Sequence, residues 1–183
     1  MTLKQDRARY FNSIMPKLNH EWASRALDIS VNTGKGPDLI NDKKFVELKF
    51  ATFPNAKDYV KWTVLEYQLA YQEQNPDKTG FWGLGIYSII QLPSTIRKAV
   101  LKNNKKLEGL IGDREIFILD WDWMNQFPPY HNRGQTEFSQ WDHKLRHPKK
   151  NKLPKVIQTF QVEGGIVHLT QESQMQYFPH LIQ

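Results

Sequence analysis

The chain contains no cysteine. This excludes disulfide bonds, thiolate zinc sites and a cysteine nucleophile, and a cytoplasmic protein is the expectation that follows. No apolar run approaches the roughly 18–20 residues needed to cross a bilayer, so no membrane partner is expected. Met1-Thr2-Leu3-Lys4-Gln5-Asp6-Arg7 lacks the apolar stretch of a secretory leader. Repeats and low-complexity segments are also missing. Acids are the scarcer charge: Lys+Arg number 25 and Asp+Glu 19, giving a net +6. What remains is ordinary for a globular chain, with 39% hydrophobic and 24% charged residues in 183. A single domain over 1–183 is expected, with a core at about 10–122 and a variable basic region at about 124–183.

The positive charge is concentrated. Lys144, Arg146, Lys149, Lys150, Lys152 and Lys155 form one run with no acid inside it, and Arg97, Lys98, Lys102, Lys105 and Lys106 form a second. Neighbouring Pro, Asn and Gly suggest exposed loops or helix ends. Two such runs, one beside Trp141, His143 and His147, point to phosphate binding. Acids gather elsewhere, at Asp113, Glu115, Asp120 and Asp122.

Residues 4–26 read as helical, broken or restarted at Pro16, which has no N–H to donate. Residues 26–31 alternate apolar and polar like a strand. Two short strands follow, 37–40 and 44–50, around a turn at Asn41-Asp42-Lys43. Val60, Val64, Tyr67 and Tyr71 are spaced by four, three and four, which reads as a helix over 58–74. The apolar run 81–92, containing Gly83 and Gly85, suits a buried strand, and 115–123 another. Ser94 suits the start of a helix reaching about 106. Gln158 to Leu169 suits a strand pair around Gly164-Gly165. This order predicts an α/β fold with a central mixed sheet flanked by helices.

The stretch from Gly36 to Phe50 carries the chemistry. A hairpin turning at Asp42-Lys43 pairs residues whose numbers sum to 85, so Asp38 faces Glu47, and Lys49 lies on the Glu47 face. Val46, Leu48 and Phe50 then point to the opposite face. Two carboxylates opposite each other repel unless a cation sits between them. Mg²⁺ suits such a set, because it accepts few protein oxygens and keeps room for water and phosphate. It polarises a phosphodiester, while a nearby lysine orients water or stabilises developing charge.

Pro37-Asp38, then Glu47-Leu48-Lys49, resembles the signature of the PD-(D/E)xK nuclease superfamily, whose restriction-endonuclease-like core runs α-β-β-β-α-β. The resemblance spans roughly residues 10–92. It implies Asp38 and Glu47 as metal ligands, the Leu48 carbonyl as a further ligand, and Lys49 as the catalytic lysine. It also draws in Glu21, near the end of the first helix, where many members supply an acid; the alternative is an i,i+4 pair with Arg25. Gln68 is a further candidate, because RecB-like members carry Gln and Tyr four apart on the helix after the motif. Here Tyr71 follows Gln68 at a spacing of three. Gly83-x-Gly85 lacks the loop-to-helix setting of a phosphate cradle.

The resemblance thus implies a Mg²⁺-dependent endodeoxyribonuclease, with Mn²⁺ as a possible substitute, most like a type II restriction endonuclease. A Holliday-junction resolvase or a homing endonuclease of the same superfamily is the alternative, and a non-catalytic DNA- or RNA-binding protein is another. Double-stranded DNA is the expected partner, held by the two basic runs. Cutting both strands with one site per chain implies a homodimer.

Overall fold

The structure is a computed structural model that describes residues 13–52, 59–90, 108–126, 140–146 and 155–182. It is an α/β fold built on an open, mixed, six-stranded sheet flanked by helices. The elements are α1 (Met15–Leu27), β1 (Leu39–Ile40), β2 (Lys44–Thr52), β3 (Tyr59–Leu65), two single-turn helices α2 (Glu66–Leu69) and α3 (Tyr71–Gln74), β4 (Thr79–Ile89) and β5 (Ile111–Asp120). A 3₁₀ turn (Trp121–Gln126), β6 (Gln140–Arg146), β7 (Gln158–Val162), β8 (Gly165–Leu169), α4 (Glu172–Tyr177) and a second 3₁₀ turn (Pro179–Leu181) complete them. The sheet order is β1-β2-β4-β5-β8-β7, and β3 and β6 form a separate antiparallel ribbon.

Pro16 stands in the first turn of α1, where its missing N–H costs nothing. The helix runs into the first residues of the strand expected at 26–31 and closes at Asp28, which adopts the left-handed conformation (φ 53°). Of that strand only an isolated antiparallel bridge from Val31 to Leu39 remains. The β1–β2 hairpin has the expected register, Leu39 with Val46 and Ile40 with Phe45. Asn41 closes its turn, its Oδ1 accepting from the N–H groups of Lys43 (3.0 Å) and Lys44 (2.9 Å).

The helix expected over 58–74 is instead strand β3 followed by α2 and α3. A spacing of four between Val60 and Val64 satisfies both a helix and a strand. Trp62 between them decides, because Trp62 and Val64 are both buried, in the alternation of a half-covered strand. The Ala70 carbonyl accepts from the Gln74 N–H, and the chain leaves α3 at Asn75.

Alternation along β2 divides the core. Val46 and Leu48 pack with Leu39, Phe81, Ile116, Ile118 and the α1 residues Trp22, Ala23 and Leu27. Phe45 points the other way, into Trp62, Val64, Tyr71, Trp82, Leu84, Phe117 and Trp121. The β3 strand therefore covers the sheet face that bears Glu47, tied down by Trp62 Nε1 donating to the Gly85 carbonyl at 3.0 Å. Gly83 and Gly85 lie inside β4. A Cβ at Gly83 would come within 2.6 Å of Leu48 Cδ2, so the missing side chain makes room for the neighbouring strand.

The strand pair around Gly164-Gly165 is present as β7 and β8. The helix expected at 94–106 lies outside the described residues. Among the described residues no helix is long and apolar enough to cross a membrane.

Candidate active site

Three elements converge on Glu47. The hairpin brings up Asp38, β2 carries Glu47 and Lys49, and α2 supplies Gln68. Glu47 is 2% exposed. Its Oε1 accepts from Lys49 Nζ at 2.7 Å and from Gln68 Nε2 in a short contact. The Gln68 amide is oriented by its other end, because Gln68 Oε1 accepts the Leu65 N–H at 3.0 Å. That bond also satisfies an orphan donor at the start of α2, as in the reciprocal half of a capping box. Gln68 thus stitches the helix entry to the carboxylate.

Glu47 Oε2 is buried and has no hydrogen-bond partner among the described residues. An isolated carboxylate oxygen away from water is costly, so it calls for a proton or a cation. Burial raises the Glu47 pKa to about 7, with Asp38 adding to the rise and Lys49 and Gln68 opposing it.

Asp38 sits at the mouth of the hairpin. Its Oδ2 accepts the Leu48 N–H at 2.8 Å, and its Oδ1 lies 3.7 Å from His20 Nδ1. Extending the hairpin register pairs position 37 with position 48. A strand residue directs its N–H and C=O to the same edge, so the Leu48 carbonyl also points toward the hairpin side. Pro37 has no N–H to offer it. A buried Glu47 oxygen, the Asp38 carboxylate and the Leu48 carbonyl are all oxygen donors, the ligand chemistry that a hard cation such as Mg²⁺ or Mn²⁺ takes. Among the described residues no group of three or more His, Cys, Asp or Glu side chains is arranged to hold a metal. Any ion here would rest on two carboxylates, one backbone oxygen and water.

Glu21 is not brought into this set. It is 43% exposed and pairs with Lys17 at 3.9 Å, an i,i+4 partner on the side opposite to the expected Arg25. The α1 residue that reaches Asp38 is His20, which the motif reading missed. A helical pattern could have shown it: Ala23 and Leu27 are buried, and His20 stands one turn before Ala23, whereas Glu21 is rotated by roughly 100° toward solvent. Burial lowers the His20 pKa; Asp38 opposes this and Lys49 adds to it. The imidazole is therefore biased toward its neutral form.

The basic residues divide. Lys144 and Arg146 are not in a loop but in β6, cross-strand from Lys61 and Tyr59. Alternation of Trp141, His143 and Leu145 with Asp142, Lys144 and Arg146 is the strand signal that the charge run obscured. Trp141 and His143 are strand residues too. Lys155 is exposed, while Lys149, Lys150, Lys152, Arg97 and Lys98 lie outside the described residues.

The site's ionisation sets a stability prediction. Glu47 binds its proton more tightly in the folded chain than when unfolded, so without metal its contribution falls as pH rises from 4.5 through about 7. The Glu47→Gln variant cannot ionise. Its stability relative to the metal-free parent should therefore improve between pH 5 and pH 8, by on the order of 3 kcal/mol. Thermal melts in chelator at both pH values measure this, and a pH-independent difference would contradict it.

Comparison with family models, with curated proteins and with solved structures gives no match to this chain.

Proposed function

We propose that the chain is a divalent-metal-dependent deoxyribonuclease of the PD-(D/E)xK type, hydrolysing phosphodiester bonds at Asp38, Glu47 and Lys49. The observation that carries this reading is the state of Glu47. It is a buried carboxylate held on one oxygen by Lys49 and Gln68, with its other oxygen unpartnered among the described residues. A purely structural salt bridge would use both oxygens or stay in water, because burying one bare oxygen works against stability.

In this reading Asp38, Glu47 and the Leu48 carbonyl hold Mg²⁺ or Mn²⁺. The ion, when bound, polarises the phosphodiester and lowers the pKa of water. Lys49 keeps its ammonium beside the reacting phosphate, where it orients the attacking water and stabilises the charge gathering on the phosphoryl oxygens. The water oxygen bonds to phosphorus and gives up a proton to solvent, the ester P–O bond breaks, and the leaving oxygen takes a proton from solvent. Gln68 fixes the rotamer of Glu47, and His20 stands 3.7 Å from the outer oxygen of Asp38. The hairpin register and the donor set together support restriction-endonuclease-like topology as the finer fold reading.

The ribbon supports DNA as the polyanion. The register sets Lys61 across from Lys144, with Arg146 two residues further along the same strand, so the ribbon gathers basic positions of the kind that bind a polyanion. Replacing Lys144 and Arg146 together with Ala should weaken DNA binding and reduce the slope of log K against log salt by roughly 2. A slope unchanged in a salt titration would remove β6 from the interface.

A type II restriction endonuclease working as a homodimer is the more detailed proposal, and a junction resolvase is the variant within it. Plasmid, four-way junction and single-stranded substrates with Mg²⁺ or chelator separate these. Defined bands on plasmid support restriction activity, junction preference supports a resolvase, and no cleavage of any substrate in Mg²⁺ or Mn²⁺ would refute the nuclease reading.

A further inference from the structure

We propose that Tyr67 is a stacking platform for an unpaired nucleobase beside the scissile phosphate, so that this site acts on single-stranded, flapped or frayed DNA rather than on a closed duplex. This rests on the nuclease reading for the identity of the reacting group, and it departs from the type II restriction proposal, whose substrate is a closed duplex.

The placement comes from α2. Tyr67 is the chain neighbour of Gln68, the residue that holds Glu47 Oε1. Gln68 turns inward and is buried, whereas Tyr67 turns outward and is 49% exposed. The ring does not float: it meets Tyr71 in a T-shaped contact, centroids 6.1 Å apart at 69°. Tyr71 is itself buried against Trp121. A T-shaped contact engages one edge or one face of a ring, so Tyr71 leaves at least one face of Tyr67 uncovered. Tyr67 is thus an aromatic surface held in position next to the carboxylate centre. The negative field of Glu47 and Asp38 reaches its phenol, adding to a pKa rise that begins with desolvation.

Packing does not account for this placement. An aromatic ring left half in water on a single-turn helix forgoes about half of the stabilisation that full burial would supply. The other exposed aromatic among the described residues, Tyr177, differs in setting. Its ring lies edge-on to Phe81 at 5.5 Å, and its backbone carbonyl receives Lys44, away from the carboxylates.

Base geometry selects the ligand. Inside a duplex both faces of every base are covered by neighbours, so a protein ring has no face to meet. An unpaired or terminal base offers one, and stacking on tyrosine is tolerant of base identity. An aromatic beside the cleavage centre therefore discriminates by strand state rather than by sequence.

The test uses a single-stranded oligonucleotide containing 2-aminopurine, titrated with full-length protein carrying Lys49→Ala so that cleavage does not intervene. Stacking quenches the fluorophore. The expected result is quenching that Tyr67→Phe preserves and Tyr67→Ala removes, with single-strand binding weakened about tenfold in the latter and closed-duplex binding unchanged. In the cleaving protein, Tyr67→Ala should raise KM for single-stranded or flapped substrates while leaving kcat within about twofold. Equal single-strand binding by the Ala and parent proteins would overturn the proposal even if the parent cleaves DNA. Loss of stacking in Tyr67→Ala by a protein that cleaves nothing would instead refute the nuclease reading and leave a base-binding surface.

Discussion

Lys49→Ala and Glu47→Ala should each lower the rate of DNA cleavage by on the order of a thousandfold or more, while DNA binding changes little. The two losses differ in kind. Glu47→Ala removes the carboxylate with the bare oxygen and leaves Lys49 Nζ and Gln68 Nε2 without their common acceptor. Lys49→Ala leaves the carboxylate in place but removes the largest influence holding its pKa down. Residual activity of Lys49→Ala should therefore shift to higher pH than that of the parent protein, because Glu47 needs more alkaline solution to ionise. Glu47→Ala should show no such recovery. A pH–rate series on both variants separates these behaviours, and full activity in either would remove that residue from the reaction.

Trp82→Ala should cost about 3–5 kcal/mol of folding stability. Trp82 is fully buried and sits cross-strand from Glu47 in the parallel β2–β4 pair. Its ring stacks on Trp121 with centroids 4.2 Å apart and planes at 14°, and its Nε1 donates to the Trp121 carbonyl at 2.9 Å. The truncation removes the stack, the hydrogen bond and the volume beneath the site together. A loss this large rivals the whole stability of many domains, so denaturant titration should find the variant largely unfolded or shifted to a much lower midpoint. Trp82→Phe keeps most of the volume and should fall well below that loss. Equal midpoints for Trp82→Ala and the parent would mean that this face of the core does not support the sheet.

The features most legible in the sequence were those fixed by local geometry. A tight turn at Asp42-Lys43 leaves one hairpin register, which sets Leu39 across from Val46 and Ile40 across from Phe45 and sends Val46 and Leu48 to one face. Gly164-Gly165 announced the β7–β8 turn in the same local way. The misreadings have a common physical origin. Val60 and Val64 fit two periodicities, and only burial of Trp62 against Trp82 and Leu84 selects the strand. Lys144 and Arg146 stand in a run whose density of charge resembles a loop and hides its alternation, and their strand exists only through pairing with β3.

Side-chain convergence was the least legible part. Gln68 reaches Glu47 because β3 ends at Leu65 and α2 turns the chain back toward β2, a path that no spacing rule encodes. His20 rather than Glu21 meets Asp38 because the buried Trp22, Ala23 and Leu27 set the rotation of α1 against the sheet. A motif names residue types, but helix rotation decides which neighbour is admitted.

Mn²⁺ titration by calorimetry at pH 6.5, in buffers of different ionisation enthalpy, most directly tests the claim that Glu47 is a metal ligand waiting for its ion. One site should appear in the parent protein, absent from Asp38→Ala and Glu47→Ala. Its apparent heat should depend on the buffer, because binding displaces the proton that Glu47 retains near neutrality. No Mn²⁺ binding by the parent, or equal binding by Glu47→Ala, would contradict the account.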